Sequence, residues 1–170
     1  MRSLWSKKDA DSYSSSALGL RVYTSRLLGA SSELVLHGGG NTSVKDEFQD
    51  LIGDKHQTLF VKGSGWDLAT IEQAGFSPVR PDALHALAEL DELDDKDMVT
   101  AQRAALLEPS APNPSVEAIL HAIIPFKFVD HTHADAVVTL CNSAEGKQLV
   151  HASYPDLLIV PYVMPGFELA

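Results

Sequence analysis

The chain has 170 residues, 45% of them hydrophobic and 21% charged, with a formal net charge of −10. That length gives one domain with a proper core, that composition is globular, and the acidic balance disfavours nucleic acid, whose phosphates need clustered Lys and Arg, while leaving room for a small anion held by backbone N–H groups. No apolar run reaches the roughly 18 residues that span a bilayer, the first nine residues lack the apolar stretch of a signal peptide, and the lone cysteine, Cys141, excludes an internal disulfide or a Cys-based zinc cluster, so a cytoplasmic protein with no membrane partner is expected.

Residues 1–10 are expected to be a flexible N-terminus of a domain spanning 1–170, and the stretch remains polar and Ser-rich through Ser16. Leu18, Leu20, Val22, Leu27 and Leu28 then follow the spacing of an amphipathic helix that Gly29 ends. Leu34-Val35-Leu36-His37 reads as a strand running into Gly38-Gly39-Gly40-Asn41-Thr42-Ser43. Residues 44–48 read as a second short strand, which makes the glycines a tight reversal. Residues 58–62 are another strand, stopped by Gly63-Ser64-Gly65. From Pro81 to Leu107 the spacing is helical, interrupted at 91–97 by an acidic run that reads as a solvated helix junction. Pro112 and Pro114 precede a helix carrying Glu117 and His121 one turn apart on one face. Residues 126–129 and 157–163 complete the predicted strands, the latter ending near Pro165-Gly166. Strands precede and alternate with helices and no repeat is visible, so the class is α/β or α+β.

The chemistry concentrates in Asp130-His131-Thr132-His133. On a strand, side chains alternate faces, so His131 and His133 would share one face and supply two of the three ligands of a catalytic zinc site. Glu117, upstream on a helix start, is placed to act as a base beside that metal. The plain alternative is a pair of histidines satisfied by backbone or water. Asn41, Thr42 and Ser43 after three glycines, and Lys62 before Gly63-Ser64-Gly65, look like two walls of a phosphate site, with hairpin turns as the alternative for each. Neither loop matches the P-loop or the dinucleotide fingerprint. His37-Gly-Gly-Gly is similar to the oxyanion loop of esterases, but no Gly-x-Ser-x-Gly elbow follows, which rejects that reading.

Taken together, His37-Gly-Gly-Gly-Asn-Thr-Ser-Val-Lys45, Val61-Lys-Gly-Ser-Gly-Trp66, Pro114-Ser-Val-Glu117 and His131-Thr-His133 resemble the class II aldolase/adducin family. The resemblance runs from Arg21 to Gly166 and is strongest to the branch in which a rhamnulose-1-phosphate aldolase is fused to a short-chain dehydrogenase. It implies a three-layer α/β/α domain around a mainly antiparallel sheet, assembled as a homotetramer with sites at subunit interfaces. It makes His131 and His133 ligands of Zn2+ or another divalent metal, and Glu117 the catalytic acid/base. Asn41, Ser64, Gly65 and Ser115 match phosphate-binding positions, with Thr42 and Lys62 candidates by position. The implied reaction is aldol cleavage of a ketose 1-phosphate to dihydroxyacetone phosphate and a short aldehyde such as L-lactaldehyde.

Three departures stand against that pattern. Val116 replaces a second phosphate serine, the Glu117–His131 spacer is shorter than in the stand-alone aldolases, and the third zinc histidine has no counterpart before Ala170. His151, the only later histidine, lies in an unrelated setting. The expectation is therefore an N-terminal part of a longer protein, C-terminally incomplete and inactive by itself. Two competing readings share the fold: a pentulose-phosphate 4-epimerase with different acid/base residues, and a non-catalytic interaction domain of the adducin type.

Overall fold

The computed structural model describes residues 2–169. Helix α1 (Lys7–Tyr13) opens the chain, capped by Ser6, whose side chain accepts from the Asp9 N–H. The expected flexible N-terminus thus gives way to a helix at Lys7, and Trp5 lies edge-on to Tyr23 with ring centroids 5.3 Å apart. Helix α2 (Ala17–Gly29) follows, its first turn closed by Ser16 accepting from the Gly19 N–H.

A sheet of four antiparallel strands comes next. It comprises β1 (Asn41–Gln49), β2 (Lys55–Lys62), β3 (Phe76–Val79) and β4 (Phe128–His131), in the spatial order β3-β2-β1-β4. Alternation along the strands divides the core in two. One face carries Val44, Phe60 and Phe76, which pack with Val22 of α2 and with Leu68 and Ile71. The other carries Leu59, Val61 and Val79, which pack with Leu84, Met98, Ala118 and Ile119. Those partners belong to α3 (Pro81–Ala88), α4 (Asp95–Ala104) and α5 (Ala118–Ile123). The α/β fold is therefore the expected one: a helical layer on each side of an antiparallel sheet.

The acidic run is the helix junction it read as, linking α3 to α4 and ending in the first turn of α4. Asp94 accepts from the Asp97 N–H, and Asp95 and Asp97 sit in the first turn, where the helix dipole favours negative charge. Pro81 opens α3 at a position whose N–H needs no partner.

Three local expectations differ from the structure, and three elements were not foreseen. Residues 34–37 form turns: Val35 N–H bonds the Ser31 carbonyl, and the Leu34 carbonyl receives the His133 N–H instead of a strand ladder. The glycines lead into β1 rather than reversing between strands, and β1 starts at Asn41, earlier than expected. Residues 157–163 form no strand, because no other strand among the described residues pairs with them. The edge strand β3 was not foreseen, since Pro78 lies inside it; at an edge the missing N–H is tolerated, and the Pro78 carbonyl still accepts from Leu107. Two short helices without side-chain caps, α6 (Asp135–Cys141) and α7 (Gly146–Ser153), were also unforeseen and pack on each other. No described helix is long and apolar enough to cross a membrane.

Candidate active site around Glu117

Antiparallel register places Asn41 of β1 directly opposite His131 of β4, both at the end of the sheet and on the face that α5 covers. Glu117 is the N-cap residue of α5, so its backbone fixes where the carboxylate enters that face. The three side chains meet at one atom. Glu117 Oε2 lies 2.9 Å from His131 Nδ1 and accepts from Asn41 Nδ2 at 3.1 Å. Glu117 is largely buried, its side chain 13% exposed. Burial raises the carboxyl pKa, but the hydrogen bond and charge of His131, the Asn41 bond and the charge of His121 together outweigh it and hold Glu117 below the usual carboxylate range.

An ionised carboxylate only accepts, so His131 Nδ1 donates to Glu117, and Nε2 is the ring nitrogen turned away from it. A carboxylate behind an imidazole in this way is the usual support for a metal-binding histidine. His133 lies just beyond the end of β4, where alternation no longer governs it, yet its ring centroid is 4.7 Å from that of His131. Its backbone N–H is held by the Leu34 carbonyl. A Cβ on Gly39 would come within 3.4 Å of His133 Nδ1, so the Gly-rich loop forms one wall beside this ring. Two adjacent imidazoles, one of them oriented by a carboxylate, fit two ligand positions of a divalent cation. No described group of three His, Cys, Asp or Glu side chains completes such a site.

The two expected phosphate walls are partly assembled. Ser64 N–H bonds the Asn113 carbonyl, and Gly63 bridges Pro114, so the Gly63–Gly65 loop lies against the segment that leads to Ser115 and Glu117. Ser64 and Gly65 are exposed, and Gly65 has φ +85°, a conformation that favours glycine. Ser115 Oγ accepts from the Glu117 N–H. Lys62 donates to the Gly38 carbonyl at 3.0 Å, tying the end of β2 to the Gly-rich loop. Burial lowers its pKa, against the opposing charges of Glu117 and Asp67. Thr42 lies apart from these groups. It points to the α2 side of the sheet, is fully buried, and its Oγ1 lies 2.8 Å from Ser25 Oγ, so it has no part in the cluster.

Sequence reasoning gave no role to two supports. His121 sits on α5 one turn after Glu117, and its Nδ1 lies 2.8 Å from Ser43 Oγ, tying the helix to β1. Arg21 crosses from α2 to the back of the same strands: it bonds Asp130 at 2.5 Å, beside His131, and the carbonyls of Ser43 and Val129. An Arg within the apolar stripe of a helix was the available signal.

The sequence profile of the Class II Aldolase and Adducin N-terminal domain matches residues 20–170. The chain belongs to this family. It is 40% identical over 150 residues to "Uncharacterized oxidoreductase YuxG" of Bacillus subtilis (strain 168), an alignment covering 88% of this chain. The chain spans only 22% of that relative's length. It also superposes with TM-score 0.90 and 39% identity on the solved N-terminal class II aldolase domain of a conserved protein from Thermoplasma acidophilum, covering 99% of this chain and 77% of that one. The family includes divalent-metal aldolases as well as adducin domains, so membership admits the imidazole pair as a metal site without deciding it.

Proposed function

We propose that this aldolase-family chain performs metal-dependent aldol cleavage of a phosphorylated ketose of the rhamnulose-1-phosphate kind, releasing dihydroxyacetone phosphate and a short aldehyde such as L-lactaldehyde. The observation that carries this reading is the convergence of Asn41 and His131 on one oxygen of a largely buried Glu117, with His133 alongside. A non-catalytic domain has no need to hold a carboxylate ionised out of water beside two imidazoles.

His131 and His133 would hold the cation, zinc in the first place. When bound, the cation supplies Lewis-acid stabilisation of negative charge on the substrate carbonyl oxygen. Glu117 moves the proton at the carbon beside that carbonyl, and its buried setting directs that proton through the oxygen not bound by His131 and Asn41. Ser64 and Gly65, with Ser115 behind them, offer hydroxyl and backbone N–H groups to the phosphate, and Lys62 adds a cation nearby.

The test is the release of dihydroxyacetone phosphate from rhamnulose 1-phosphate, followed with Zn2+ in excess so that mass action fills a weak site. Glu117→Gln should lower the rate at least about a hundredfold, the scale of a general acid/base group, with metal uptake unchanged because Gln still accepts from His131. Full activity in Glu117→Gln would remove the acid/base assignment. Isomerisation of a pentulose phosphate without cleavage would favour the epimerase, and no turnover of either substrate the adducin-type domain.

A further inference from the structure

We infer that His37 is a further substrate-binding residue, whose imidazole hydrogen-bonds an oxygen of the phosphorylated substrate held at the Glu117–His131–His133 site. The inference rests on the substrate class proposed above. His37 has φ +50° and is the one non-glycine residue in the left-handed region among those described. It takes the second place of a tight turn, closed by the Gly39 N–H on the Leu36 carbonyl at 2.9 Å. A positive φ at that place suits glycine, and a side chain there strains the backbone. Three glycines follow at once, yet the strained place carries an imidazole. The residue is exposed, and among the described residues no hydrogen bond of its ring offsets the strain. Strain of this kind collects where a side chain is needed by a ligand rather than by the fold.

The turn holds this conformation because it is pinned on both sides. Before it, the Leu34 carbonyl accepts from the His133 N–H at 2.9 Å. Within it, Lys62 Nζ donates to the Gly38 carbonyl at 3.0 Å. After it, the chain is packed too closely for side chains: a Cβ on Gly39 would meet the Leu36 carbonyl at 2.9 Å, and one on Gly40 the His131 carbonyl at 3.0 Å. Gly38 differs. A Cβ there would meet nothing within 4 Å, so open space lies beside His37. The same ties place the imidazole near the site. His37 is two residues, at most about 7 Å of chain, from Gly39. A Cβ on Gly39 would lie 3.4 Å from His133 Nδ1, so a ligand resting on His133 is within reach of the His37 ring. An imidazole has an N–H to give, which suits a phosphate or hydroxyl oxygen of the sugar phosphate.

Two variants separate the ring from the strain. His37→Ala keeps a Cβ at the positive φ and loses the ring, whereas His37→Gly loses both. Isothermal titration with dihydroxyacetone phosphate, Zn2+ in excess, should give a Kd at least about tenfold weaker in both variants than in wild type, the scale of a hydrogen bond to a charged group. In cleavage of rhamnulose 1-phosphate, KM should rise by a similar factor while kcat stays within about threefold, because the contact is equally strong before and during reaction. Thermal unfolding needs no ligand. Tm should stay within about 1 °C of wild type in His37→Ala and rise by about 2–4 °C in His37→Gly, since the strain leaves with the Cβ. An unchanged Kd in His37→Ala would make His37 a turn residue only and overturn the inference. A Tm lowered by several degrees in both variants would overturn it as well, because the ring would then serve the fold. If wild type binds dihydroxyacetone phosphate but cleaves no ketose phosphate, and both variants bind weakly, the proposed reaction falls and the His37 contact stands. A wild type that does not bind dihydroxyacetone phosphate overturns the contact whatever its activity.

Discussion

His121 shows how a residue can matter to the site without touching substrate. It is 1% exposed and bonded to Ser43, and burial pushes its pKa down to about 4, with the charges of Glu117 and Asp130 opposing and those of His131 and Arg21 adding to the fall. The folded state therefore prefers the neutral ring. Its contribution is complete above the ordinary histidine value near 6.5 and is lost as pH falls from there to about 4. A shift of that size corresponds to about 3 kcal/mol. Urea unfolding at pH 7.5 and pH 4 should show wild type losing about that much more stability than His121→Asn, which keeps a bond to Ser43 but cannot charge. Equal losses in the two proteins would mean that the folded state accommodates the imidazolium. In the sequence His121 was visible as the residue one turn from Glu117; its protonation state was not, because that depends on the strand packed over it.

Between elements, the strongest constraint on the site is the Arg21 clamp. Helix α2 and strand β4 are more than a hundred residues apart in sequence, yet Arg21, 1% exposed, joins them through Asp130. Burial holds the guanidinium pKa below its ordinary value, and Asp130 is the partner that opposes this. Asp130→Ala leaves a buried cation without its anion and should cost about 2 kcal/mol in chemical denaturation, less than a fully buried pair because Asp130 is itself half exposed. Replacing both, Arg21→Met with Asp130→Ala, should recover part of that loss, since an apolar side chain of similar length needs no counter-ion. A double variant less stable than the single one would show that the carbonyl bonds to Ser43 and Val129, not the ion pair, carry the clamp. The same scale explains where sequence reading of elements succeeded. Helix α2, β2 and the split pair α3 and α4 carry their own spacing and caps, whereas residues 157–163 look like a strand by composition and lack a partner to pair with.

For the molecule as a whole, three layers bring four distant segments to one end of the sheet: Gly38–Asn41, Lys62–Gly65, Asn113–Glu117 and His131–His133. The protein offers two metal donors there and, among the described residues, no third that completes the group. Three protein ligands are the usual minimum for catalytic zinc, and an incomplete set binds weakly. Isothermal titration should therefore give a zinc Kd weaker than about 1 μM, some 8 kcal/mol of binding free energy. Tight one-to-one binding that His131→Ala abolishes would show that this chain supplies a further donor by rearranging.

The sequence by itself pointed to the family through its ordered motifs and, through that resemblance, to the antiparallel α/β class, and it singled out the imidazole pair and the carboxylate, because motifs and helix-capping patterns are local properties of the chain. It also named Asn41, Ser64 and Ser115, whose segments the fold brings to the same end of the sheet. Only the tertiary structure decided which of these meet. Strand register put Asn41 beside His131 and aimed its amide at Glu117, and the same alternation turned the adjacent Thr42 to the opposite face against Ser25. Neighbours in sequence are separated by a whole sheet, and residues 76 positions apart share one oxygen atom, because the side-chain period of a strand is two and its pairing is set by packing on both faces.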